Sequence, residues 1–212
     1  LDRLSEIDEE FSLEITHIDY QNYSQINLQN LTLKTPDFLR ILIKDLSVSV
    51  SYFNNLLVMG SSGLGKSSLL RAIAQLWTSG KGTIKHPQLE EMLFLPQRPY
   101  MIVGTLREQL LYPNLTNTVD DDQLQLILEK VNLPNLISRF KGGLNAQENW
   151  EKILSLGEQQ RVAFARILVS KPLYVILDEA TSALDVDNEK ALYQTLLNLS
   201  LIHISEPTRL RR

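Results

Sequence analysis

Residues Gly60 to Ser67 read Gly-Ser-Ser-Gly-Leu-Gly-Lys-Ser and satisfy the pattern G-x-x-x-x-G-K-[ST]. No other stretch constrains the chain as strongly, because such a loop works only between a strand and a helix. The apolar run Leu56-Leu57-Val58-Met59 precedes it, and Leu69, Leu70, Ile73 and Trp77 share one face of a helix predicted over residues 67–77. Across Gly60, Ser61, Ser62, Gly63, Leu64 and Gly65 the glycines let successive backbone N–H groups turn inward. The helix opening near Gly65, with Lys66, Ser67 and Ser68 in its first turn, adds its positive end, so the loop is built to hold phosphates. Lys66 is expected to reach the β and γ phosphates and the Ser67 hydroxyl to ligate Mg2+. A plain Gly/Ser turn would meet the four specified positions by chance in about one chain of this length in a hundred, and it would not bring a strand and a helix with it.

The 212 residues, 43% hydrophobic and 22% charged, suffice for one sizeable domain or two small ones. The longest apolar runs, such as Leu173 to Leu177, are too short to span a bilayer, and the N-terminus Leu-Asp-Arg-Leu-Ser-Glu is too charged for a signal peptide. No cysteine is present, so disulfides and thiolate metal sites are excluded. A net charge of −4 argues against a nucleic-acid partner, which would call for a basic face.

Residues 1–11 carry a run of acids and read as a solvated linker or an exposed helix. Strand-like alternation over residues 12–18 and 26–33 and a β-branched mixture over 41–50 predict an antiparallel β flank, with Thr35-Pro36-Asp37 as a turn. Ser79-Gly80-Lys81-Gly82 reads as a second turn, and residues 92–95 as a short buried strand that hands over to a loop at Gln97. Thr105 and Glu108 form a capping box opening a helix to Leu111, and Asp120 to Asp122 head another that runs to Val131. Residues 133–150 read as short helical pieces joined by loops.

A second cluster lies between Leu154 and Asp185. Leu154-Ser155-Leu156-Gly157-Glu158-Gln159-Gln160-Arg161 precedes a helix, and Ser155 with Glu158 is by itself an ordinary capping box. Beyond that helix lies Leu173-Tyr174-Val175-Ile176-Leu177-Asp178-Glu179, a continuously apolar strand of the doubly buried parallel type that ends in two carboxylates. In an open α/β sheet ligands sit at the carboxyl ends of strands, which predicts these acids beside the phosphate loop. Asp178 can hold Mg2+ through water, and Glu179 can orient or deprotonate an attacking water. The plainer reading is an acidic helix cap after a strand.

The loop at Gly60, Gln97, the Leu154-to-Glu158 segment, the Asp178-Glu179 pair and Ser182-Ala183-Leu184-Asp185 occur in the order of an ABC transporter nucleotide-binding domain, which the chain resembles from Ser12 to Asn198. Gln97-Arg98-Pro99-Tyr100-Met101, Gly104-Thr105-Leu106-Arg107 and Trp150 resemble subfamily D, the fatty-acyl half-transporters, and related bacterial exporter-fold transporters of peptides and cobalamin. The resemblance implies an α/β fold: a P-loop NTPase (RecA-like) core, an antiparallel β flank and an inserted α-helical signature subdomain over about residues 98–168. It implies a Mg2+-dependent ATPase in which two domains face head to tail. Each ATP then lies between the loop of one copy and Ser155, Gly157 and Glu158 of the other, with Asp185 at the seam. Gln97 would contact Mg2+ or the attacking water and join Glu179 and Lys66 in catalysis. The expected partners are a second nucleotide-binding domain, identical or paralogous, and a transmembrane domain fused before Leu1, which puts the chain at the cytoplasmic face of a membrane. The alternative is a non-transport ABC ATPase acting on DNA or ribosomes; such proteins usually carry a coiled-coil insertion or second cassette, and neither is present here.

The sequence departs from the family at several points. Leu156 stands where glycine is commonest and Glu158 where glutamine is, and Thr35 takes the place of the usual adenine-stacking aromatic, leaving Phe38 or Tyr100 as substitutes. His203 comes too early to be the family's switch histidine, with no strand expected before it, and neither His17 nor His86 is given a role. Residues 199–209 read Leu-Ser-Leu-Ile-His-Ile-Ser-Glu-Pro-Thr-Arg, which is also the translation of a transposase-type sequencing adapter. The expectation is that the natural sequence stops near Asn198 and that residues 199–212 are a read-through artefact.

Overall fold

The computed structural model describes residues 17–50, 54–61, 63–199 and 202–205. Its elements begin with β1 (Asp19–Asn22), β2 (Ile26–Lys34), β3 (Ile41–Val50), β4 (Leu56–Leu57), α1 (Lys66–Ile73), β5 (Gly80–His86) and β6 (Met92–Leu95). The chain continues through α2 (Leu106–Leu111), α3 (Asp121–Lys130), α4 (Trp150–Ile153), α5 (Leu156–Ser170), β7 (Tyr174–Leu177), α6 (Val186–Asn198) and β8 (Ile202–Ser205). It divides into two compact units, Leu1–Ser51 with Gly60–Gln88 and Tyr52–Met59 with Leu89–Arg212.

The first unit holds a sheet in the order β1-β5-β2-β3. As expected for the flank, β2 and β3 pair antiparallel. The buried face of β2 shifts phase, from Ile26 and Leu28 to Leu31 and Leu33, because a bulge intervenes. There Asn30 takes a left-handed φ of 48° and its side-chain amide donates to Asp45 Oδ1 at 3.0 Å.

Three expectations for this unit are corrected. The flank is not purely antiparallel, since β1 runs parallel to β5; of the strand predicted over residues 12–18, residues 12–16 lie outside the described residues. Gly80 and Gly82 are not turn residues but lie in β5, which pairs antiparallel with β2. A Cβ on Gly80 would sit 2.3 Å from the Thr32 carbonyl oxygen, and one on Gly82 2.6 Å from that of Asn30. Glycine is required there by close backbone approach across the sheet, a cause invisible to turn statistics. The helix after the loop also ends early, at Ile73 rather than Trp77. Gln75 turns left-handed at φ 60°, and the Trp77 indole N–H donates instead to the Lys34 carbonyl at 3.0 Å.

The second unit holds a wholly parallel sheet in the order β4-β8-β7-β6. Tyr174, Val175, Ile176 and Leu177 are all completely buried, as a strand covered on both faces must be. Cutting Ile176 to alanine would cost about 2–5 kcal/mol, lost transfer energy plus an unfilled cavity. Helix α5 buries every residue from Val162 to Val169 and shares one core with β6, β7, α2, α3 and α6. The strand β8 departs from the sequence reading, which placed none there. Ile204 is completely buried in it, and the segment with adapter-like codons pairs with β7 on one side and β4 on the other. Among the described residues no helix is long and apolar enough to cross a membrane.

Candidate active site

In the first unit, the phosphate-loop residues lead into α1. Gly65 precedes the helix in a left-handed conformation, φ 86°, and a Cβ there would lie 2.9 Å from Leu42 Cβ. Both the dihedral and the space therefore demand glycine. Gly63 is also left-handed, at φ 82°; Gly60 and Ser61 precede it, Leu64 is exposed at the crown, and Ser62 lies outside the described residues. The Lys66 ammonium folds back and donates to the Ser61 carbonyl at 2.9 Å. A phosphate oxygen would offer the same donor a charge-assisted partner, so the loop fits an anion. Ser67 and Ser68 form the rest of the first helical turn, both half-buried.

In the second unit, β7 delivers Asp178 and Glu179. The Asp178 amide donates to the Leu95 carbonyl at 2.9 Å, which continues the β6–β7 ladder, and its side chain is buried. Glu179 then turns left-handed, φ 49°, a conformation uncommon outside glycine and asparagine. That turn brings its carboxylate against the loop after β6, where Gln97 Nε2 donates to Glu179 Oε2 at 2.9 Å. The two residues the sequence nominated for water and metal chemistry thus meet directly.

The Ser155-to-Glu158 segment opens α5 as a reciprocal cap, as read from the sequence. Glu158 Oε2 accepts from the Ser155 amide at 2.8 Å and from its hydroxyl at 3.0 Å, and the Glu158 amide donates back to Ser155 Oγ. Burial opposes ionisation of Glu158, but the Arg139 guanidinium and the two Ser155 donors outweigh it and hold the carboxyl below its ordinary range. Gly157 faces the backbone of the 182–185 segment, a Cβ there falling 3.2 Å from the Ala183 carbonyl oxygen. Asp185 caps α6 and is held below the usual carboxylate range, first by the Asn188 amide, then by the Asn188 side chain and the Asp187 amide.

Of the candidate stacking aromatics, Phe38 sits in the β2–β3 turn at φ 61°, while Tyr100, 64% exposed, leans on Tyr112 with ring centroids 6.0 Å apart. His86 is buried in β5, bonded to the Pro87 carbonyl and the Gln75 amide. Sequence reading missed two residues. Arg139 pairs with Glu158 from a turn that carries no motif. Gln160 reaches Gln97, Ser182 and Ala183 from inside α5, and its only sequence signal was its place just after the signature.

A sequence model of the ABC transporter family matches residues 43–182, the span from β3 through the phosphate loop to just beyond Glu179. The chain belongs to the ABC transporter family. It carries that family's ATP-binding domain. It is 60% identical over 180 residues to an uncharacterised ABC transporter ATP-binding protein of Synechocystis sp., covering 85% of this chain and 27% of the relative. It is 41% identical to ABC transporter D family member 2, chloroplastic, of Arabidopsis thaliana, covering 87% of this chain and 32% of that one. The lysosomal cobalamin transporter of Homo sapiens is 40% identical, with 84% of this chain and 31% of the relative covered. The ABC domain therefore spans about a quarter to a third of the length of these relatives. Among solved structures, a bacterial Atm1-family ABC exporter with ATP bound aligns with a TM-score of 0.73 and 24% identity, over 98% of this chain and 40% of that one. That likeness shows the ABC fold. The relatives' names leave the DNA- or ribosome-directed alternative without support.

Proposed function

We propose that this ABC domain binds ATP with Mg2+ and hydrolyses it to drive a membrane half-transporter of the subfamily D kind. Lys66 and the amides of Gly60 to Gly65 hold the β and γ phosphates. Ser67, Gln97 and, through water, Asp178 are the residues that would hold Mg2+, an ion that neutralises phosphate charge when bound. Glu179 orients the attacking water and takes its proton as the bond between the γ phosphorus and the bridging oxygen breaks, leaving ADP and phosphate. A positioned base of this kind contributes typically about 10²–10⁴ in rate.

The observation that carries this reading is the 2.9 Å contact of Gln97 with Glu179 at the end of a doubly buried strand. It sets an amide with both donor and acceptor against a carboxylate, a pair whose remaining donor and acceptor sites can align a water beside it. A second ABC domain supplies Ser155, Gly157 and Glu158 over the triphosphate, and Asp185 lies at the seam between the two. Ser155 heads a helix whose amides favour anions. A transmembrane domain in the same polypeptide would hold the pair at the cytoplasmic face of a membrane.

In the complete transporter, Glu179→Gln is expected to keep ATP binding and cut turnover by about 10²-fold or more. Lys66→Ala should weaken ATP binding itself. Hydrolysis unchanged in Glu179→Gln would overturn the assignment of the base.

A further inference from the structure

We propose that Gln160 is a positioning residue for ATP hydrolysis, one that sets the Gln97–Glu179 contact by clamping the backbone on both sides of it. The proposal rests on the ATPase reading above and concerns a residue that never touches nucleotide. Gln160 lies on α5 and is completely buried. Its Nε2 donates to the Gln97 carbonyl at 2.8 Å and to Ser182 Oγ at 3.2 Å, while its Oε1 accepts from the Ala183 amide at 3.0 Å.

These bonds close a ring. The Gln97 side chain donates to Glu179, the Ser182 amide donates to the Glu179 carbonyl at 3.0 Å, and Gln160 joins the Gln97 carbonyl to Ser182. One side chain therefore fixes both the loop that presents Gln97 and the segment just past Glu179. Both amide hydrogens and the amide oxygen are engaged. A primary amide donates to a carbonyl and accepts from a backbone N–H at the same end, whatever the pH. An ionised carboxylate of the same shape would face the Gln97 carbonyl oxygen with no proton to give, and an apolar side chain would leave a buried carbonyl and N–H without partners.

The geometry also explains why a residue of the helix core should matter to the reaction. Turnover is sensitive to sub-ångström placement of the group that orients the nucleophile, and Gln97 sits on an exposed loop with no secondary structure of its own. Loosening its backbone would leave the phosphate loop and its lysine untouched. Loss of Gln160 should therefore lower kcat and spare ATP affinity.

The test uses the complete transporter with Gln160→Glu, Gln160→Glu combined with Gln97→Ala, and the milder Ser182→Ala, alongside Lys66→Ala and Glu179→Gln as references. ATP affinity, kcat, KM and thermal midpoint are measured from pH 6 to 8. Gln160→Glu is expected to lower kcat about tenfold or more at pH 8 with ATP affinity within about twofold of wild type. Its kcat relative to wild type should rise toward pH 6, because a buried carboxyl that gains a proton regains the donor for the Gln97 carbonyl. Adding Gln97→Ala should cost little more than Gln97→Ala alone, since the two act as one unit. Ser182→Ala, which spares the core, should lower kcat about twofold to threefold with an unchanged thermal midpoint.

Full kcat in Gln160→Glu, or a loss that tracks the thermal midpoint, ignores pH and adds to that of Gln97→Ala, would overturn the proposal. Should Gln160→Glu fail to fold, full kcat in Ser182→Ala would overturn it equally. If Lys66→Ala and Glu179→Gln themselves behave as wild type, the ATPase reading fails; if they respond and the Gln160 variants do not, only the clamp does.

Discussion

Arg139 and Glu158 form an ion pair through Nη1 and Oε1 at the head of α5. Arg139 is itself steadied by the Phe140 ring, 5.3 Å from its guanidinium, and Phe140 meets the Trp150 ring edge-on at 5.0 Å. The pair matters because Glu158 puts a negative charge where an anionic phosphate from a second copy is proposed to dock, and Arg139 offsets it. Arg139→Leu should change stability by about 1 kcal/mol or less, since the arginine is the solvent-exposed end of the pair, yet raise the KM for ATP about threefold to tenfold in the complete transporter, since an uncompensated like charge disfavours phosphate at that position. Glu158→Gln added to it should restore KM, because the amide keeps the cap and drops the charge. A KM that stays at the wild-type value in Arg139→Leu would count against this role.

The lowered Glu158 carboxyl fixes the sign of a pH dependence. Burial disfavours its charge, but Arg139 and Ser155 favour it more, so the folded state binds this proton less readily than the unfolded chain. The stability it contributes is complete above the ordinary glutamate value of about 4.3 and is lost as pH falls through the lower folded value. Thermal midpoints of wild type and Glu158→Gln should therefore differ most near neutral pH and converge in acid.

Gly65→Ala should damage both fold and binding. The left-handed φ of 86° and the 2.9 Å approach to Leu42 Cβ are independent obstacles, and strain of this kind costs on the order of 1–3 kcal/mol. Relief by moving the backbone would turn the loop amides away from a phosphate. Equilibrium unfolding together with ATP titration should show both losses, while Ser68→Ala, in the first helical turn, should leave stability within about 0.5 kcal/mol.

Much of this was legible in the sequence where the cause is local. The capping boxes at Thr105 and Ser155 and the fully buried run from Tyr174 to Leu177 emerge as read, because each depends on residues within one turn or one strand. The glycines of β5 were misread because their reason lies across the sheet in Thr32 and Asn30. The Gln97–Glu179 contact joins residues 82 positions apart; the sequence nominated both ends, but their meeting is a product of the β6–β7 pairing. Arg139 and Gln160 act through partners that no spacing rule connects to them.

Arg166 is a cation held inside the core. It is 3% exposed, donates from Nε to the Gln109 carbonyl at 2.8 Å and from Nη1 to the Tyr100 carbonyl at 2.9 Å, and stacks 5.1 Å from the Tyr112 ring centroid. Burial pushes its pKa down to about 10, against the opposing influence of Tyr112. Gln109 in turn binds both the amide and the carbonyl of Ile102, so the guanidinium anchors the stretch that leads from Gln97 into α2. Arg166→Met should destabilise by about 1–3 kcal/mol for each carbonyl left without a donor. Arg166→Lys should recover only part, because one ammonium cannot reproduce a planar fork that serves two carbonyls and an aromatic face. Urea midpoints read the stability loss, and hydrogen exchange at Ile102 reads its local consequence. Ile102 protection unchanged in Arg166→Met would show that the anchor lies elsewhere.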